Sequence, residues 1–239
     1  MASKQFYFTI RTKSHNLWES ITSHPFVQGI GDGTLSRERY EFFLKQDYMY
    51  LIEFSRFIAL AAARAEQLAD MAYLSRLLKV TLETEMEIHR STCKNYGISP
   101  QELEATKPAL ITTAYANMLL RTAHEGSFGD ILAALLPCAC GYVEIGKLLK
   151  ARGLPEDQFY RDWINAYASE EFEEFAIWLI DRVNAMAEES GEKDKERWFD
   201  IYERSARFEY LFFDMCWKME VWPEVAATMD QPSGKTSDR

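Results

Sequence analysis

Residues 40 to 65 read YEFFLKQDYMYLIEFSRFIALAAARA, and this stretch decides the fold class. Its apolar side chains recur at steps of three and four, the period of a helix and not the alternation of a strand. The run begins near Ser36 and is apolar on several sides, which predicts a central helix and not a surface one. The same period extends in both directions along the chain, and no segment sustains strand-type alternation. The chain is therefore read as all-α, a single helical bundle.

Punctuation sets the helix limits. A first helix over about 5 to 22 stops near His24-Pro25, because the residue before a proline is pushed out of the α region; the GIGDGT segment after it reads as a loop. A helix over about 69 to 95 ends at Asn95-Tyr96-Gly97, where glycine can take the left-handed conformation. Ser99-Pro100-Gln101-Glu102 combines an N-cap serine, a proline at the first helical position and a glutamate placed to close a capping box. Further helices run from Pro108 to about His124, over 127 to 151, and over about 156 to 167. Ser169 caps the helix that Gly191 ends, with Glu170 and Glu171 complementing the dipole of its first turn. The last helix reaches about residue 221. No repeat or long linker divides the chain, so one domain over 1–222 with a tail over 223–239 is expected.

The 239 residues carry a formal net charge of -10. That argues against a general nucleic-acid binder, which needs clustered Lys and Arg to neutralise phosphates. No window reads as a membrane span and the polar start lacks a secretory apolar segment, which predicts a cytoplasmic protein without a membrane partner. Cys93, Cys138, Cys140 and Cys216 sit in helical patterns, and reduced thiols are expected.

Three residues stand out chemically. In LLPCACGY, residues 135 to 142, Pro137 cannot donate to the carbonyl of Ala133, so a kink and a free acceptor are expected just before Cys138. Tyr142 shares a helix face with Cys138. A buried structural cysteine is the plain alternative. Asp47 lies among Tyr48, Tyr50, Leu51 and Phe54, where a carboxylate needs a partner or a ligand, unless it faces a solvated stripe. Glu209, in SARFEYLFFDMCW, is either an acid held protonated by a nonpolar pocket or the partner of Arg204 or Arg207. The sequence shows no cation that could ionise the Cys138 thiol, so its partner is expected from elsewhere in the fold.

Metal chemistry has little support. His89 follows Met86 and His124 follows Arg121 at the three-residue step, so no Glu-x-x-His motif exists, and the Glu85 and His89 pair reads as a surface contact. His15 alone does not make a haem site. Gly-rich phosphate loops and a GxSxG elbow are missing.

QDYMYL, the Tyr115 helix, LLPCACGY, INAYASEEF and RFEYLFF, in this order, resemble the TenA/thiaminase II family over roughly residues 10 to 220. The resemblance implies a haem-oxygenase-like fold without haem, a homotetramer, no cofactor or metal, and hydrolysis of thiamin-related aminopyrimidines. By the same resemblance Cys138 is similar to the nucleophile and Glu209 to the general acid/base. Asp47 resembles the carboxylate that holds the pyrimidine edge, Tyr50, Tyr115, Tyr142 and Tyr167 the hydroxyl-bearing wall, and Phe212 a stacking neighbour. Family members commonly carry a bulky aromatic between the cysteine and the next tyrosine. Ala139, Cys140 and Gly141 are small, which predicts a wider pocket. An oxidase on the same fold and a non-catalytic pyrimidine-binding protein are the alternatives.

Overall fold

In the computed structural model, which describes residues 5–223, the deciding stretch lies in one helix, α4 (Arg37–Arg64). The Ser36 hydroxyl accepts from the Arg39 amide and so satisfies one of the donors that a helix start leaves open. All regular structure among the described residues is helical.

The N-terminal segment departs from expectation. It forms two helices, α1 (Gln5–Lys13) and α2 (His15–Thr22), separated at Ser14. The break lets Trp18 turn inward, where it is 1% exposed and donates from Nε1 to the Tyr202 hydroxyl at 2.6 Å. The expected loop after His24 is largely a helix as well, α3 (Pro25–Asp32). Pro25 occupies its first turn and the His24 Nδ1 accepts from the Phe26 amide, so the pair ends one helix and starts the next. Gly33, at φ 76°, closes it in the left-handed region.

The helix expected over 69 to 95 is a rod of three parts. These are α5 (Leu68–Val80), a π-helical turn over Thr81–Glu85, and α6 (Met86–Tyr96), which Gly97 ends at φ 95°. Ser99 caps the short α7 (Pro100–Glu104) through the Glu102 amide, but the Glu102 carboxylate turns to Lys45 and leaves that box half made. Next come α8 (Leu110–Glu125) and α9 (Phe128–Arg152). The full capping box is at the start of α9, where Ser127 and Asp130 satisfy each other's amides. The chain continues through α10 (Gln158–Tyr167), α11 (Glu170–Glu189, capped by Ser169) and α12 (Glu192–Lys218). The expected tail lies almost wholly outside the described residues.

Helix α9 is the axis of the bundle, with α3, α8, α10, α11 and α12 packed round it, and α4 runs against α5, α6, α8 and α12. Among the described residues α9 alone is long and apolar enough, by length and composition, to cross a bilayer, and 72% of that window is buried inside the protein, as in a core helix. Its glycines explain the close packing. A Cβ on Gly141 would sit 2.3 Å from the Trp18 ring, and one on Gly146 would sit 2.8 Å from the backbone at Tyr167 and Ala168.

Candidate active site

Helix α9 passes through Pro137 without interruption. The neighbouring carbonyl of Ala134 takes an additional donor, the Ser205 hydroxyl of α12, at 2.7 Å. Beside Pro137, the residues Trp18, Gly141, Tyr142, Glu209 and Phe213 border a narrow gap too tight to hold a water molecule. One residue on, Cys138 lies among the buried residues of α9 yet keeps some accessible area. Burial, and then the Glu209 carboxyl, push its thiol well above the ordinary range. The Tyr50 hydroxyl works in the opposite direction on that thiol, while forming no well-aligned hydrogen bond of its own. It is a buried donor beside the sulfur, free for a thiolate or a ligand.

Glu209 is 3% exposed. Tyr115 donates to its Oε1 at 2.5 Å and lies 3.3 Å from the Ser205 hydroxyl. Burial pushes the Glu209 carboxyl up to about 8, against the lowering effect of Tyr115. Neither Arg204 nor Arg207 reaches it; Arg207 pairs with Glu203 at 3.4 Å. Of the two sequence readings of Glu209, the acid in a nonpolar pocket is the one realised.

Asp47, on α4, is 9% exposed and not on a solvated stripe. Burial raises its carboxyl to about 7. The His89 Nδ1 lies 3.5 Å from its Oδ2, and the His89 Nε2 lies 2.7 Å from the Leu44 carbonyl. The sequence reading of Glu85 and His89 as a surface contact is thus corrected. His89 is 9% exposed, and Glu85, at the end of the π-turn, is enclosed enough that burial raises its carboxyl to about 7. Glu85 lies within electrostatic range of Asp47, Cys138 and Tyr167. A sequence signal for this existed: Met86, His89, Cys93 and Tyr96 form a buried stripe at steps of three, four and three.

Aromatic rings close the space on two sides. On one, Tyr50 meets Tyr115 at 5.1 Å and Phe212 at 6.0 Å. On the other, Tyr142 and Tyr167 meet at 4.6 Å, and Gly146 is what allows Tyr167 to press so closely on α9. The phenols of all four tyrosines feel the Cys138 thiol. All eight residues singled out in the sequence therefore border one region. Trp18 fills the room at Gly141, and Cys140 lies beside Tyr7.

The larger cleft of about 790 Å³ lies elsewhere, between α1, α11 and α12, and holds none of these groups.

Residues 11–219 match the TENA/THI-4/PQQC family. A protein of Halalkalibacterium halodurans named aminopyrimidine aminohydrolase is 42% identical over 220 residues, covering 91% of this chain and 97% of that protein. The structure of a TenA homologue from P. horikoshii OT3 superposes with a TM-score of 0.80 at 30% identity, covering 89% of this chain and 98% of that one. A domain with a haem oxygenase-like fold from Shewanella denitrificans, 18% identical, gives a TM-score of 0.70 over 89% of this chain and 92% of its own.

Proposed function

The chain belongs to the TENA/THI-4/PQQC family, and we propose that it is an aminopyrimidine aminohydrolase of the thiaminase II type, a hydrolase acting on C–N bonds in thiamin salvage. The observation that carries this reading is the meeting of Cys138, Glu209 and Asp47 from three helices within one aromatic-walled region, where no Lys or Arg acts on the thiol or on either carboxyl. Such a space suits a flat heterocycle, and its acids suit a substrate that brings a positive charge, such as a protonated amine.

The residue types divide the work. Glu209 in its ionised form takes the proton of the Cys138 thiol, and the free Tyr50 hydroxyl donates to the resulting thiolate. The sulfur adds to a ring carbon and removes the aromaticity of the pyrimidine. Glu209 then returns its proton to the departing amine nitrogen as the C–N bond breaks. Water adds to the exocyclic carbon, its proton going to Glu209, and loss of the thiolate restores the ring. Tyr115 holds Glu209 in place throughout, while Tyr142, Tyr167 and Phe212 clamp the ring faces. Asp47 receives the amino edge.

The catalytic unit in this reading is the helical domain over 1–222, cytoplasmic, without cofactor and assembled as a homotetramer. Exposed Val80, Leu82 and Ile88 along the α5–α6 rod support an assembly in which an apolar outer face is covered. The test is release of hydroxymethylpyrimidine from its aminomethyl analogue, followed by mass spectrometry. Cys138→Ala abolishes it; a variant that keeps wild-type turnover ends the mechanism.

A further inference from the structure

We infer that His89 is a positioning residue that keeps a proton on Asp47, so that Asp47 meets an aminopyrimidine as a carboxylic acid and not as a carboxylate. This rests on the activity proposed above for its consequence, but its structural basis is in the ligand-free chain.

The His89 tautomer is fixed by what surrounds it. A carbonyl only accepts, so the nitrogen 2.7 Å from the Leu44 oxygen, Nε2, carries the hydrogen. In a neutral ring Nδ1 is then a bare lone pair, and it faces Asp47 Oδ2 at 3.5 Å, a contact longer than an ordinary hydrogen bond that a small shift of either side chain would close. Two lone pairs so placed repel unless one proton lies between them. The ring has little freedom to turn away: Tyr48 stacks on it with centroids 6.0 Å apart, and Tyr48, Leu44 and Asp47 all belong to α4.

The surroundings favour the proton on the oxygen. Burial lowers the affinity of His89 for a second proton and raises that of Asp47. The other groups that feel Asp47 are acids, thiols and phenols. Glu85 and Cys93 come from the rod, Glu209 and Cys216 from α12, and Cys138 and Tyr142 from α9. Tyr167 of α10 and Tyr40 of α4 itself complete the set. None of them is a cation that would favour the carboxylate.

An aminopyrimidine edge presents an N–H donor beside a ring-nitrogen acceptor. A carboxylate offers two acceptors and opposes the ring nitrogen, whereas a carboxylic acid matches both positions. The proton then has a use. As the Cys138 sulfur forms its bond to the ring carbon, a ring electron pair moves onto the ring nitrogen, which takes the proton from Asp47. When the C–S bond breaks and the ring regains aromaticity, that proton returns to Asp47 and its seat against His89 Nδ1. No proton is consumed and no further reactant is needed.

Imidazole nitrogen NMR of the ¹⁵N-labelled wild-type chain tests the resting state; the four histidines of the sequence are separated by comparison with His89→Asn. Hydrogen on Nε2 and a bare Nδ1 between pH 6 and 8 are expected; an imidazolium or an Nδ1–H tautomer overturns the inference. Kinetics with aminomethylpyrimidine test the use. Activity that needs protonated Asp47 falls as pH rises through its pKa, so removing the acceptor moves this alkaline limb to lower pH. His89→Phe, checked for folding by thermal melting, is expected to show that shift with kcat/KM down about a hundredfold, the low end of positioned proton transfer. His89→Asn, whose oxygen can accept where Nδ1 did, recovers most of both. A wild-type pH profile in His89→Phe, or equal damage in a folded His89→Asn, overturns the role. A wild-type protein inert towards every aminopyrimidine removes the proposed activity instead, and the NMR result still decides the state of the pair.

Discussion

Asp70 and Asp130 are as deeply buried as Asp47 and Glu209, yet the two pairs are treated in opposite ways. Asp70 on α5 meets Arg182 Nε of α11 at 2.7 Å, and Asp130 at the start of α9 meets Arg197 Nε of α12 at 2.8 Å. Each ties two helices together with its charge compensated. Asp47 and Glu209 meet a histidine and a tyrosine, and burial drives their carboxyls to about 7 and about 8. A buried acid opposite an arginine is a fastening; one without a cation holds a proton near neutrality and can give it away.

The difference is open to direct attack. Glu209→Gln should lower kcat about a hundredfold or more, with KM changed far less, because the role proposed for it lies in proton transfer and not in binding. A kcat within a few-fold of wild type would place Glu209 with the fastenings. Asp70→Ala should do the reverse: unfolding in denaturant should show a loss of roughly 2–3 kcal/mol, since Arg182 loses its partner, while turnover per folded molecule stays unchanged.

The smallest effect is the pH dependence of stability. Asp47 and Glu209 have folded pKa values raised above 3.8 and 4.5. The folded chain therefore holds protons that the unfolded chain releases, and stability falls as pH rises from about 4 to about 8. Asp47→Asn and Glu209→Gln should each flatten that slope and leave the variant more stable than wild type at pH 8, by about 1–2 kcal/mol once relaxation is allowed for. Melting curves at pH 5 and pH 8 measure it. Unchanged slopes would mean that both carboxyls reach solvent.

The sequence made legible whatever is decided locally. Ser36, Gly97, Ser99 and Ser169 mark helix ends through bonds to residues two to four positions away, and the helices stop or start there. Asp47 and Glu209 could be singled out because a carboxylate in an apolar helical stripe needs a reason. What stayed hidden depends on partners far along the chain. The break at Ser14 follows from where Trp18 must go, and Gly141 leaves the room that the Trp18 ring fills. The groups that stand beside the Cys138 thiol, Glu209 and Tyr50, come from α12 and α4, far from it in sequence. His89 was misread because its buried neighbours lie on α4, more than forty residues away in sequence.

The π-turn at Thr81–Glu85 reconciles two obligations of one rod. Upstream, Asp70 must look towards Arg182; downstream, His89 must look towards Leu44 and Asp47. In an unbroken α-helix each residue advances the facing direction by about 100°, so losing a single position from this turn would swing one anchor off its target whichever end stayed docked. The surroundings of Asp47 are thus sensitive to the number of residues in this segment, and an indel there would be felt at both ends of the rod at once.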